Sequence, residues 1–408
     1  MRKFVILVGF GLAGWMASAS GQVSTSPSPG NGAPHPAPPP VANSALSVTT
    51  SKRDPSHTSG AAAIDYVNAK AVRLPAVAAR SELQAQYDLM DALHAQAQGA
   101  RKGGVSPGSQ GTGRMRPLKL GAPLAAAASA DAPVSLDFGS TNHPFTTARA
   151  DLFGLISTDA YPYRATGKLF FLIDGDTFLC SASLIKPGVV VTAAHCVANF
   201  ANQFYSNWSF VPAYSNGDAP FGIWPVASAS VMTSYFNGSD SCSEYDHSGH
   251  GVVCSNDVAL LLLKPDAAGA YPGAAASWYG YGYDGWSFSA SGLTQVTQLG
   301  YPVCLDGGAF MERNDSYGYT SAANSNNTII GSLMCGGASG GPWLANFGLP
   351  SGLTDTIAGN AANSNVIVGV TSWGYNGALP KETGSTPFTG ANIVQLLKAV
   401  CSATPAAC

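Results

Sequence analysis

Three observations predict an all-β fold for the main body of this chain. From about residue 150 the sequence breaks into short apolar runs, Leu169 to Ile173, Val189 to Val191, Val258 to Leu263 and Val366 to Val370, separated by Gly, Asn, Asp and Pro. Many short strands with turn signals between them mark a sandwich or barrel. Only one segment of this body, Ala391 to Val400, sets apolar residues at helical spacing (Ile393, Leu396, Leu397, Val400), and it is expected as a C-terminal helix. Finally, 46% of the 408 residues are hydrophobic and only 11% charged, so Ser, Thr, Asn and Gly must carry the surface. That composition excludes a coiled coil and a charge-rich disordered chain.

The elements ahead of this body differ in kind. Arg2 and Lys3 precede an apolar run from Phe4 to Met16 and then Ala17-Ser18-Ala19, a small-x-small site, so residues 1–19 are expected to be a signal peptide cleaved after Ala19. No later stretch reaches about 18 apolar residues, the length a membrane helix needs. The mature product is therefore expected to be secreted, extracellular or periplasmic, with no membrane contact after signal removal. Residues 20–60 are rich in Ser, Pro, Gly and Ala, with Pro34, Pro36, Pro38, Pro39 and Pro40 crowded together, which favours extended, solvated backbone. One amphipathic helix is expected near 82–97, where Leu83, Tyr87, Met90 and His94 follow Ser81 as N-cap. Gly99 to Ala132 returns to linker composition, with basic Arg114, Arg116 and Lys119. Residues 20–130 thus read as a mostly disordered leader, a linker or pro-segment, and a body spans about 150–400 with a tail at 401–408.

Charge narrows the partners. The net charge is −3 and no Lys/Arg block reaches five residues, so the electrostatic footprint of nucleic-acid binding is missing. Residues 1–149 carry 13 Lys/Arg against 7 Asp/Glu, a surplus of +6, whereas residues 150–408 carry 7 against 16, or −9. A basic leader thus precedes an acidic body. The eight cysteines, at 180, 196, 242, 254, 304, 335, 401 and 408, all lie in that body, without Cys-x-x-Cys metal spacing. Disulfides are the better reading, with 105 pairings open to eight cysteines.

Three motifs carry chemistry. Val191-Thr192-Ala193-Ala194-His195-Cys196 ends an apolar run, Asn256-Asp257-Val258-Ala259-Leu260-Leu261 puts an acid at the mouth of a strand, and Cys335-Gly336-Gly337-Ala338-Ser339-Gly340-Gly341-Pro342 leaves one hydroxyl among glycines. Each has a bland reading alone: a structural His, a turn Asp, a flexible loop. A phosphate cradle would need a Lys after the serine and a helix opening behind it, and neither is present. Together, in the order His, Asp, Ser and followed by Thr371-Ser372-Trp373-Gly374, they resemble the chymotrypsin/trypsin family of serine peptidases over about residues 150 to 400. Tyr161 to Phe170 and Gly300-Tyr301-Pro302 are similar to its secreted bacterial and fungal members, glutamyl endopeptidase relatives among them.

The resemblance implies two six-stranded antiparallel barrels with the site in the cleft between them. It implies Ser339 as nucleophile, His195 as its general base, Asp257 as the group that orients His195, and the backbone N–H groups of Gly337 and Ser339 as oxyanion donors. Leu333, with Met334 beside it, takes the base of the specificity pocket and Thr371 its wall. No acid stands there to attract Lys or Arg, and glutamyl endopeptidases have His where Thr371 stands, so an apolar or small side chain is the expected preference. Ser372, Trp373 and Gly374 are expected to hold the substrate backbone as an added antiparallel strand. The family's Asp before the nucleophile, which pairs with a newly cut N-terminus, is here Ala338, so activation is expected to involve the leader instead. The resemblance pairs Cys180 with Cys196, Cys242 with Cys254, Cys304 with Cys335 and Cys401 with Cys408.

The expected protein is a monomeric secreted serine endopeptidase with a peptide substrate, no cofactor and no metal. A non-catalytic binding module on the same fold, or an esterase, are the alternatives. Two further features have plain readings: Trp278 to Trp286, alternating aromatics with Gly, as a strand and loop rather than a sugar platform, and Asp246, His247 and His250 as a solvated loop rather than a metal site.

Overall fold

The computed structural model describes residues 46–51, 63–77, 103–115, 117–121, 144–151, 158–246, 248–320, 327–349, 363–375 and 381–408, all within the compact unit Ala42–Cys408. The predicted signal peptide, the helix near 82–97 and His247 lie outside these residues.

The first barrel is built from β1 (Thr166–Ile173), β2 (Asp176–Lys186), β3 (Val189–Thr192), β4 (Ser206–Pro212), β5 (Trp224–Met232) and β6 (Ala259–Leu263). Antiparallel pairing runs β5-β4-β1-β2-β3-β6 and closes through β5 with β6, where Val231 faces Ala259. The second barrel holds β7 (Leu293–Gly300), β8 (Glu312–Thr320), β9 (Thr328–Gly331), β10 (Pro342–Ala345), β11 (Val366–Tyr375) and β12 (Glu382–Pro387). Its order is β10-β7-β8-β9-β12-β11, closed by β10 with β11. Closure leaves few open edges in either sheet, which is how all-β folds with many short strands avoid edge pairing. The core is continuous from Leu169 and Phe170 through Val189, Val190 and Val191 to Leu299 and Ile367.

The four apolar runs read from the sequence lie on barrel strands, except that Val258 falls just before β6. The C-terminal helix α1 (Ile393–Ala403) starts two residues later than expected and continues past Val400, so Cys401 is its residue rather than the first of a separate tail. Asn392 caps it, accepting from Ile393 N at 2.5 Å, and Ile393, Leu396, Leu397 and Val400 are its buried face. The aromatic run supplies the strand Gly280–Tyr283, which joins β11 at Val366 and Ile367. The disulfides are Cys180–Cys196, Cys242–Cys254, Cys304–Cys335 and Cys401–Cys408.

The described parts of the leader add strands to this frame, although their composition carries no strand pattern. Val48–Thr50 pairs with β5, Lys70–Ala71 with β2, Ala76–Val77 with β11, Gly104–Ser106 with the Gly280–Tyr283 strand and Leu118–Lys119 with Asp218–Ala219. Phe145–Arg149 pairs with β8.

The Lys168 side chain is buried where the first barrel meets the second. Lys168 on β1 donates from Nζ to the Gly308 carbonyl at 2.8 Å, with Nζ 4.4 Å from the centre of the Tyr214 ring. Desolvation lowers its pKa from 10.5 to about 7. Between those two values the unfolded chain binds the proton that the folded chain has shed, so this residue makes stability rise with pH across that window. Melting temperature measured from pH 6 to 10 should therefore climb more steeply in the native chain than in Lys168→Met; parallel profiles would refute the assignment.

Candidate active site

His195 lies in the short turn Ala194–Cys196 that follows β3, a turn tied back to β2 by the Cys180–Cys196 disulfide. Asp257 sits immediately before β6, whose residues Ala259 to Leu262 pair with β3, so the two side chains come from neighbouring strand ends. The Asp257 carboxylate is 2% exposed. Its Oδ1 accepts from the His195 backbone N–H at 2.9 Å, and its Oδ2 faces His195 Nδ1 at 2.8 Å and accepts from Ser372 Oγ at 2.5 Å. A buried carboxylate without such donors would carry a large desolvation cost. Facing an acceptor, His195 Nδ1 carries the ring proton, which leaves Nε2 as a bare acceptor.

Next door, Asp240 accepts from Asn256 N at 2.8 Å and Asn256 Nδ2 at 2.7 Å, fixing the residue before Asp257. Burial raises the pKa of Asp240 to about 6.

Ser339 stands in the turn between β9 and β10. Its backbone carbonyl accepts from Ser181 N at 2.8 Å, which anchors the loop to β2 of the first barrel. Gly340 donates to the Thr371 carbonyl at 2.8 Å, which anchors it to β11 of the second. Ser339 Oγ and His195 Nε2 are both buried, and neither has a hydrogen-bond partner among the described residues. Buried polar atoms are nearly always satisfied, so such orphans need a reason.

The glycines are structural necessities here. Gly337 has φ +93°, and a Cβ on it would lie 2.5 Å from the Tyr301 carbonyl. Its own carbonyl accepts from Ser181 Oγ at 2.8 Å. The Gly337 N–H, one of the two expected oxyanion donors, points to the Val72 carbonyl of the leader at 3.1 Å.

The substrate-binding candidates divide. Leu333 and Met334 are buried just beyond β9. Ser372, Trp373 and Gly374 lie on β11, and Gly374 N donates to the Pro75 carbonyl of the leader at 2.9 Å. Trp373 Nε1 donates to Asn327 Oδ1 at 2.8 Å, which fixes the ring inside the barrel. The Thr371 hydroxyl is taken up internally, accepting from Gln298 Nε2 at 2.9 Å and Trp343 Nε1 at 3.0 Å. Ala338 is fully buried beside the nucleophile loop. Sequence reasoning missed the Ser372 hydroxyl on Asp257 and the leader backbone at Gly337 and Gly374. The Ser372 contact was findable only as part of the Thr371-Ser372-Trp373-Gly374 motif, and the leader contacts left no side-chain signal.

The sequence model described as Trypsin matches residues 159–394, more than half of the chain. The chain belongs to the trypsin family. Among curated proteins it is 27% identical over 127 residues to an extracellular metalloprotease of Bacillus subtilis (strain 168), an alignment covering 31% of this chain and 35% of that protein. The chain thus spans about a third of that relative's length. Among solved structures, it is similar to a thermostable serine protease from an extremophilic microorganism, with 21% identity, 58% of this chain and 96% of that one covered, and a TM-score of 0.45. The protease Anisep from Arthrobacter nicotinovorans gives 22% identity, 60% and 95% coverage, and a TM-score of 0.45. A Glu endopeptidase gives 19% identity, 62% and 95% coverage, and a TM-score of 0.43.

In this trypsin-family chain, Ser372→Ala removes one of the three donors on Asp257. A hydrogen bond to a charged group contributes about 1.5–3 kcal/mol, so the melting temperature should fall by several degrees. An unchanged melting temperature would show that the hydroxyl does not help to hold the carboxylate.

Proposed function

We propose that this trypsin-family chain is an exported serine endopeptidase that cleaves peptide bonds through an acyl-enzyme. The observation that carries the reading is the Asp257 carboxylate clamped on both His195 N and His195 Nδ1, with Nε2 left bare. A hydroxyl at its ordinary pKa is a weak nucleophile. Nε2 takes the Ser339 proton as Oγ attacks the scissile carbonyl, and the imidazolium formed is stabilised by Asp257. The negative charge that builds on the former carbonyl oxygen is received by the N–H groups of Gly337 and Ser339. Each such donor contributes about 2.7–4 kcal/mol to transition-state binding. Nε2 then returns the proton to the leaving amine, and a water hydrolyses the ester by the same steps.

Buried Leu333 and Met334 support a preference for apolar or small side chains at the scissile position. Four disulfides support export, because such bonds persist in oxidising compartments. The leader strands on both barrels support a pro-segment rather than an idle spacer.

The name of the Bacillus subtilis relative invites a metal test. Among the described residues, two groups of ligand atoms lie close together: Cys180, His195 and Cys196, and Asp240, Cys242 and Cys254. In each, two of the three atoms are disulfide sulfurs, and a ligating Cys must be a thiolate. These sets do not fit a metal.

The test is labelling by a serine-directed phosphonyl fluoride together with casein digestion. Both are expected in the native chain after removal of the leader and absent in Ser339→Ala. Ester hydrolysis without casein digestion would favour the esterase, and no labelling would favour a binding module on the same fold.

A further inference from the structure

The leader crosses the candidate site as a continuous strap. Asp65 N donates to Thr177 Oγ1 at 3.0 Å, and the Tyr66 ring packs edge-on to Phe170 at 5.0 Å between centres. Lys70 pairs with Asp176 at 2.7 Å. These contacts fasten the strap to the first barrel. At the other end Val77 is buried with Trp373, Tyr319, Ile329, Val252 and Val253, which fastens it to the second.

Between the anchors its backbone uses the groups the proposed chemistry needs. Val72 N donates to the Leu179 carbonyl at 3.0 Å, Gly337 N donates to the Val72 carbonyl at 3.1 Å, and Gly374 N donates to the Pro75 carbonyl at 2.9 Å. Leu74 Cδ2 lies 2.7 Å from the place a Cβ would take on Gly374, and the Val72 carbonyl 2.9 Å from that place on Gly336, so the strap sits directly on both glycines, and at Gly336 its backbone leaves no room for a side chain. One carbonyl therefore fills an oxyanion donor, and one leucine covers the glycine of the Ser372 to Gly374 strand.

Direction is the telling feature. A substrate laid on Ser372 to Gly374 as an antiparallel strand runs opposite to β11. The strap pairs with β11 in parallel, Gly374 opposite Ala76 and Tyr375 opposite Val77, and with β2 in parallel as well, Lys70 opposite Phe178 and Ala71 opposite Leu179. We propose that residues 63–77 are a built-in inhibitor that occupies the cleft in the reverse of the substrate direction, so that it blocks Gly337 and Gly374 without being cleaved. Reversal exchanges the two sides of the Val72–Arg73 peptide bond. Its carbonyl reaches Gly337, but its nitrogen departs toward Gly374 rather than along the path of a leaving amine, and protonation of that nitrogen by His195 has no geometry to run in. The inference rests on the serine peptidase reading for its consequence, and on the strand pairing alone for its structure.

The test uses the full chain. Leu74→Asp combined with Val77→Asp introduces two charges where the strap meets apolar surface, and Leu74→Met preserves the contact. Phosphonyl fluoride labelling of Ser339 and hydrolysis of a peptide ester should be at least about tenfold faster in the double variant than in the native chain, the order expected for losing the packing of buried Val77, and near native in Leu74→Met. Intact mass after long incubation should show no cut between Val72 and Arg73. Equal and measurable rates in the native chain and the double variant, or cleavage at that bond, would overturn the proposal. Amide hydrogen exchange gives a readout free of activity, measured on the same proteins carrying Ser339→Ala. Peptides containing Gly337 and Gly374 should be protected in the full chain and lose protection in the double variant. If they do so while no protein labels, the strap stands and the peptidase reading falls; if protection is absent or unchanged, the strap falls.

Discussion

A carboxylate sealed from water and shared between two barrels is the constraint on which the rest of this structure depends. Asp257 comes from the first barrel, as does the His195 that gives it two hydrogen bonds, while the third donor, Ser372 Oγ, comes from β11 of the second. Removing any donor leaves a buried charge short of a partner, and such a deficit is among the larger single costs a fold can carry. The bond from Ser372 therefore links the barrels at the place where the cleft must be held to a fraction of an ångström. Around it, the Cys180–Cys196 disulfide, the Ser181 N–H on the Ser339 carbonyl and the Gly340 N–H on Thr371 fix the two loops that carry the imidazole and the hydroxyl.

The leader belongs to the same design. A backbone N–H held open by its loop accepts any carbonyl of suitable reach. The Val72 carbonyl takes the Gly337 N–H, and backbone pairing on β2 and β11 holds it there. The family's acid before the nucleophile is replaced by a buried alanine at 338, so control of this site cannot run through an ion pair at that residue. Lys168, the buried cation on β1, holds the loop that ends at Gly308 by a carbonyl rather than a carboxylate.

Much of this was legible in the sequence, and the division follows physical lines. Strand-rich texture came from apolar runs such as Val189 to Val191, whose side chains all point into a core. The three motifs were legible because their pattern restricts residue type: a glycine is forced at 337 by positive φ, and His195, Asp257 and Ser339 stand in the order on which the family resemblance rests. The helix at Ile393 was legible from its buried stripe. What could not be read is carried by backbone atoms. The strands at Lys70–Ala71 and Ala76–Val77 are two residues long and bind through N–H and C=O groups that every residue has, so a Pro- and Gly-rich leader hides them. Thr371 shows a second limit. The resemblance put it on a pocket wall, and what the sequence could not show is that its hydroxyl bonds Gln298 and Trp343.

The central claim is that Asp257 sets the proton of His195 on Nδ1 and leaves Nε2 bare for Ser339. Nitrogen-15 NMR of the histidine side chains, in the native chain and in Asp257→Asn, reads that proton directly. The account predicts a protonated, hydrogen-bonded Nδ1 and an unprotonated Nε2 for His195 near neutral pH, with the assignment reversed in Asp257→Asn. A native His195 carrying its proton on Nε2, or one indifferent to the substitution, would contradict it.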